Sequence, residues 1–146
     1  MTGVQTCALP ISLTGHAGRV SSVAVGQVDG RTIIASGSDD RTVRRWDAAT
    51  GNPIGDPLTG HGAAVTSVAV GQVDGRTIIA SGSDDRTVRI WDAATGSPIG
   101  DYLIGARDPD TDRRATATSV AVGQVDGRTI IASGSIDQTV DRKSVV

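Results

Sequence analysis

The sequence predicts an all-β chain built from tandem four-stranded antiparallel sheets. Three observations carry this reading. The stretch SVAVGQVDGRTIIASGS occurs at residues 22–38, 67–83 and 119–135, and repetition at a spacing of tens of residues is the signature of stacked supersecondary units. Each copy sets an Asp-Gly pair between two apolar runs, at Asp29-Gly30, Asp74-Gly75 and Asp126-Gly127; both residues tolerate the positive φ that a two-residue hairpin turn demands. Apolar residues alternate or run together instead of recurring at three and four, with Gly every few residues, which argues against helix.

In the first unit, residues 20–25 read as a short β-branched strand, 26–31 as the Asp-Gly turn, 32–36 (TIIAS) as a second strand, 38–41 (SDDR) as a turn and 42–47 (TVRRWD) as a third strand. Residues 48–52 close another turn. Residues 53–58 then form a short outer strand, whose Pro53 and Pro57 suit a sheet edge. The second unit repeats the first in register: Gly15-His16 recurs as Gly60-His61 and Trp46-Asp47 as Trp91-Asp92. The third follows an inserted loop at 107–114. A sheet this small cannot bury both faces alone and needs a neighbour on each side. With Trp46, Trp91 and Tyr102 as the only aromatic residues, Val, Ile, Ala and Leu are left to fill the space between sheets.

These residues resemble the WD-repeat (WD40) β-propeller family, in bacterial-type tandem repeats. The likeness spans 13–140 and rests on Gly-His, a Ser on the second strand, an Asp in the next turn and Trp-Asp on the third strand, in that order at matching spacing. The resemblance implies a hydrogen-bonded chain within each blade, formed by His16, Ser36, Asp40 and Trp46 in the first and by His61, Ser81, Asp85 and Trp91 in the second. There the Asp fixes the imidazole tautomer while hydroxyl and indole N–H find partners. In the third blade Ser133 and Asp137 are present, but Ala106 takes the His position and Lys143 the Trp position. The implied fold is an incomplete β-propeller of about two and a half four-stranded blades: blade 1 about 16–58, blade 2 about 61–104 and a partial blade 3 about 106–140. Propellers close with about 4–8 blades. The array therefore reads as a fragment of a larger propeller, with bare edges and faces that recruit other chains, and self-association is expected.

Residues 1–11 (MTGVQTCALPI) and 141–146 (DRKSVV) fall outside the repeat. They resemble in-frame translations of two opposite sequencing adapters and are expected to be adapter-derived and to continue no strand. Met1, Cys7 and Lys143, the single residues of their kinds, all lie there. Residues 12–140 hold no Cys, so neither a disulfide framework nor a cysteine metal site is expected. A formal net charge of −2 and the scarcity of aromatic residues argue against a nucleic-acid surface. No apolar run approaches the ~18 residues of a membrane span, and residues 1–11 lack the basic then apolar regions of an export signal. A cytoplasmic location without membrane contact is the default expectation.

His16, Ser36 and Asp40 are the three residue types of a hydrolase triad. The same set recurs in the second unit, whereas a catalytic site needs one specialised copy with an oxyanion hole and a substrate cleft. The set therefore reads as structural, and no catalytic residue, cofactor or metal is expected. Asp108, Asp110 and Asp112 have a calcium-loop spacing, but Arg113 stands where Gly is needed and Ser119 where the bidentate Glu belongs. That loop reads as a solvated insertion. Arg19, Arg31, Arg41, Arg44, Arg45, Arg76, Arg86 and Arg89 lie mostly near Asp in sequence and read as solvated blade rims instead of a phosphate-binding face.

The function implied is a non-catalytic protein–protein interaction scaffold that binds a protein or peptide through a loop-lined rim. In the resembling family, rim specificity comes from residues beside the blade-forming motif. Those positions here are Arg19, Ser21 and Asp39 in the first blade, Ala64, Thr66 and Asp84 in the second, and Thr116, Thr118 and Ile136 in the third. The alternative is a sensor or regulatory propeller tail of a multidomain bacterial signalling enzyme, an ATPase, kinase or protease.

Overall fold

The computed structural model describes residues 12–100, 103–104, 117–135 and 140–145. Among these residues ten strands run in chain order: β1 Val20–Val28, β2 Arg31–Ser38, β3 Val43–Asp47, β4 Val65–Val73, β5 Arg76–Ser83, β6 Thr87–Asp92, β7 Leu103–Ile104, β8 Ala117–Val125, β9 Arg128–Ser135 and β10 Val140–Val145. They form three antiparallel meanders, ordered β1-β2-β3, β4-β5-β6-β7 and β10-β9-β8. Among the described residues no helix is long and apolar enough to cross a membrane.

The first two strands of each sheet join through the Asp-Gly pair. Both residues take positive φ at every copy: 49° and 80° at Asp29-Gly30, 49° and 78° at Asp74-Gly75, 50° and 75° at Asp126-Gly127. This is the type I′ geometry whose twist matches the flanking strands. The turns are tighter than the sequence reading placed them, because the strands run on through Gly26-Gln27-Val28 and start again at Arg31. The glycine is there for packing. A Cβ on Gly26 would lie 2.3 Å from Val70 Cγ1, and one on Gly71 would lie 2.3 Å from Val122 Cγ1. Each of those glycines is the hole into which the next sheet inserts a valine.

Side chains alternate across each strand, and the sheets stack through that alternation. Ile33, Ala35, Val43 and Leu58 of the first sheet pack against Val65, Val68, Ile79 and Trp91 of the second. The second sheet turns its other face, with Ile78, Ala80, Val88 and Ile90, toward Val120 and Ile131 of the third. Ile78 and Ile79 are both buried although they point to opposite faces. A sheet covered on both sides needs the unbroken apolar run TIIAS, where a half-solvated one would alternate apolar with polar.

Two expectations about strands are corrected. Residues 53–58 do not form a continuous outer strand; they touch β3 through isolated bridges, Trp46 to Pro53 and Val43 to Leu58. Gly55 at φ 64° turns the chain between them, and Pro53 and Pro57 have no N–H to give to a ladder. Among the described residues only the second sheet, with β7, has four strands. The second correction concerns residues 141–146, which were expected to continue no strand. Residues 141–145 pair along β9 with Val140, from Val140 opposite Gly134 to Val145 opposite Thr129. Ladder bonds come from the backbone, so any non-proline sequence with extended φ/ψ supplies them. Lys143 faces Ile131 across the ladder, as Trp46 faces Ile34 and Trp91 faces Ile79.

Candidate interaction surface

The second sheet draws His61 from the segment before β4, Ser81 from β5, Asp85 from the β5–β6 turn and Trp91 from β6. His61 Nδ1 lies 2.8 Å from Asp85 Oδ2 and Nε2 lies 2.7 Å from Ser81 Oγ. The Trp91 indole N–H donates to the same Ser81 oxygen at 2.9 Å. A carboxylate can only accept, so in the neutral ring Nδ1 carries the proton and Nε2 accepts from the serine hydroxyl. Burial pushes the His61 pKa down from 6.5; the bond and charge of Asp85 oppose the shift and Arg89 adds to it. Burial also opposes ionisation of Asp85, but bonds from Thr87, the Gly62 amide and His61 outweigh it and hold the carboxyl below its usual 3.8.

The first sheet repeats this geometry. His16 Nδ1 to Asp40 Oδ2 is 2.9 Å, Nε2 to Ser36 Oγ is 2.7 Å, and Trp46 Nε1 to Ser36 Oγ is 2.8 Å. Asp40 is held well below the ordinary carboxylate range: burial works against this, and bonds from Thr42, His16 and the Ala17 amide overcome it. In the third sheet Ser133 sits half-buried on β9 opposite Val120. Asp137 and Ala106 lie outside the described residues.

Of the positions expected at a rim, those among the described residues lie where the first strand of each sheet begins or in the turn after its second strand. The pairing register slips between Val20 and Ser22, between Val65 and Thr66's neighbour Ser67, and between Ala117 and Ser119. Ser21, Thr66 and Thr118 are thus the bulge residues, each the extra residue on its strand. Thr66 Oγ1 donates to Gly82 O at 3.2 Å. Ser21 Oγ bonds Gly37 O at 3.2 Å and also Val65 O of the next sheet, so this hydroxyl ties two blades together. Exposed Arg19 and Asp39 form an ion pair, Nε to Oδ2 at 3.2 Å, above a backbone bond from Asp39 N to Arg19 O. Asp84 N bonds Ala64 O at 3.0 Å, leaving the Asp84 side chain exposed. Thr116 and Ile136 lie outside the described residues.

Several working residues carry no role in the sequence reading. Ser22 Oγ accepts Val68 N at 3.1 Å, and Ser67 Oγ accepts Val120 N at 2.8 Å. Thr77 Oγ1 donates to Gln27 O at 2.5 Å, and Thr129 Oγ1 to Gln72 O at 2.7 Å. These bonds stitch each sheet to the next. Their signal was the repeat itself, but which repeated Ser or Thr crosses between sheets depends on stacking that one strand's sequence does not define. Asp47 and Asp92 each accept from an arginine of the neighbouring strand, Arg31 and Arg76, and cap the turn that follows them through Ala49, Thr50, Ala94 and Thr95.

Arg45, expected on a solvated rim, is buried. Its Nη1 donates to Ala93 O at 3.0 Å and Ala94 O at 3.1 Å in the second sheet, while Nε finds no partner among the described residues. It lies at the floor of a cleft of about 490 Å³ between Gly55–Thr59 and Thr95–Pro98. Nη2 sits where a Cβ on Gly55 or on Gly96 would come within 2.7 Å. Burial lowers its pKa and the charge of Asp92 opposes that.

The sequence model of the WD domain, G-beta repeat, matches this chain twice, over residues 7–47 and 51–92. The first match begins inside the segment that resembles an adapter. No curated protein matches the chain. Repeats of this kind generally mediate protein–protein interaction and are typically non-catalytic. Each match ends on a Trp-Asp pair whose indole closes the hydrogen-bonded chain described above, and together they cover more than half of the residues: the chain belongs to the WD40 repeat family.

Proposed function

We propose that the chain is a non-catalytic interaction scaffold, part of a larger propeller, whose loop-lined rim meets a protein or peptide partner. The observation that supports this best is the closed state of the two His/Ser/Asp sets. Ser81 is fully buried, its hydroxyl proton is directed at His61 and a lone pair accepts from Trp91. A nucleophile needs an exposed oxygen, a base free to take its proton and donors for an oxyanion. Here the imidazole, the hydroxyl and the indole satisfy each other twice over, at Ser36 and at Ser81. What is left for a partner is the rim: the Arg19–Asp39 pair, the Asp84 carboxylate and the bulge residues beside them.

A displayed peptide library selected on the purified chain tests this. Selected peptides should bind Arg19→Ala and Asp84→Ala about tenfold more weakly or worse, as a lost charged contact at an interface costs. Gln72→Ala, at the opposite end of the strands and exposed, should bind normally. Esterase or peptidase activity abolished by Ser81→Ala in a folded protein would overturn the reading.

A further inference from the structure

We propose that the cleft between the outer segments of the first and second sheets is a binding site for a peptide carboxylate, which Arg45 holds. The site goes beyond the rim and does not depend on it. It lies beside the turn that follows β6, at the other end of that strand from Asp84.

The repeat itself points to this place. Residues 22–56 and 67–101 are identical except at two positions, Arg45 against Ile90 and Asn52 against Ser97. Arg45 of the first unit and Ser97 of the second line the same cleft. Ile90 shows what the strand takes when packing alone is asked of that position, since it is buried in the apolar core.

Arg45 is the group in the cleft that lacks a counterpart. It is 4% exposed, and a guanidinium carries five N–H donors. Nη1 directs its protons at Ala93 O and Ala94 O. Nε and Nη2 have no hydrogen-bond partner among the described residues, and no carboxylate of those residues pairs with Arg45. Arg31 and Arg76, by contrast, are paired with Asp47 and Asp92. A cation taken out of water is costly unless an anion meets it. Nε is closed over, whereas Nη2 opens on the cleft. Gly55 and Gly96 leave it uncovered, since a Cβ on either would lie 2.7 Å from it.

The walls fix the class of ligand. A volume of about 490 Å³ suits a small molecule or the side chains of a short peptide segment. Leu58 and Trp91 supply an apolar side, and the hydroxyls of Thr59, Thr95 and Ser97 supply donors for a second oxygen. Asp56 also lines the cleft, and the charge of Asp92 acts on Arg45. Two carboxylates so close repel a phosphate, which carries nearly two negative charges, more than they repel a singly charged carboxylate.

The test is a nuclear magnetic resonance titration of the full, isotope-labelled chain at neutral pH. N-acetyl-aspartyl amide offers a side-chain carboxylate and N-acetylalanine a chain-terminal one; whichever binds names the source. At least one should shift the Trp91 indole N–H and the Arg45 Nε–H saturably, with a Kd on the order of 1 mM, and leave the Trp46 indole in place. Neutral N-acetyl-asparaginyl amide should not. Arg45→Ile should weaken binding about tenfold or more, and its melting curve shows whether it stays folded, as the Ile90 sheet does with the same residue. Arg86→Gln, an exposed arginine just before β6, should bind as the parent does. No saturable shift with either carboxylate, an equal shift with the neutral amide, tighter binding of inorganic phosphate, or an Arg45→Ile that binds normally would each overturn the proposal. Rim variants that fail to weaken selected peptides leave this titration unchanged, so the two readings fail separately.

Discussion

Among single residues, the serine at the centre of each blade has the most to lose. Ser81→Ala would leave the Trp91 N–H and His61 Nε2 without partners in a buried site. Each orphaned group costs about 1–3 kcal/mol, so urea denaturation should place the variant about 2–6 kcal/mol below the parent. Arg45 predicts the opposite sign. Its matching position in the second sheet is Ile90, which packs into the apolar core, whereas Arg45 buries a guanidinium whose Nε is unpaired among the described residues. Replacing a buried charge with a packed hydrophobe is commonly stabilising by about 1 kcal/mol or more, and Arg45→Ile should shift the denaturation midpoint upward accordingly. Arg45→Ala, which opens a cavity and loses the bonds to Ala93 and Ala94, should lower it.

At the level of strands and turns, much was legible. The Asp-Gly turns, the first three strands of the first two units and the first two of the third follow from local rules, positive φ and a repeated apolar pattern, and the polar quartet follows from the resemblance to the WD-repeat family. Three features were not legible. Gly26 and Gly71 look like turn residues until the neighbouring sheet is in place, since a strand glycine and a turn glycine have the same letter. Residues 53–58 carry an apolar pattern broken by two prolines and Gly55, and only the bridges to β3 show which bonds survive. Residues 141–145 lack the repeat's letters yet pair with β9, because a ladder reads backbone and not side chains. The role of Gly71 gives a direct test. Gly71→Ala would push a methyl against Val122, and overpacking of this kind costs about 1–3 kcal/mol; a midpoint unchanged in urea would mean that the two sheets are not in contact there.

For the whole molecule, stability should depend on acid in two steps. His61 has a folded pKa below 6.5, so the unfolded chain binds its proton first and stability falls as pH drops below about 6.5 toward the folded value. Asp40, Asp47, Asp85 and Asp92 have folded pKa values below 3.8; their contribution is present above about 3.8 and is lost as pH falls through the folded values. Melting temperature measured from pH 8 to pH 3 should hold level, decline below about 6.5 and decline again below about 4. His61→Gln should flatten the first decline and leave the second.

The three hairpins spell one text, and that has a consequence for how the chain finds its own partners. β1 could pair with β5 or β9 as well as with β2, since the strands that would receive it are the same letters in the same order. Nothing in the side chains tells these mates apart. The Asp-Gly turn does so by proximity: closing a two-residue loop instead of one of roughly fifty is worth about 3 kcal/mol of chain entropy, enough to sort identical strands by more than a hundredfold. The turn is thus an address label in a sequence that otherwise has none. Stretching it with a few flexible residues would weaken that label by about 1 kcal/mol, and strands exchanged between units or between molecules would become several-fold more frequent on refolding.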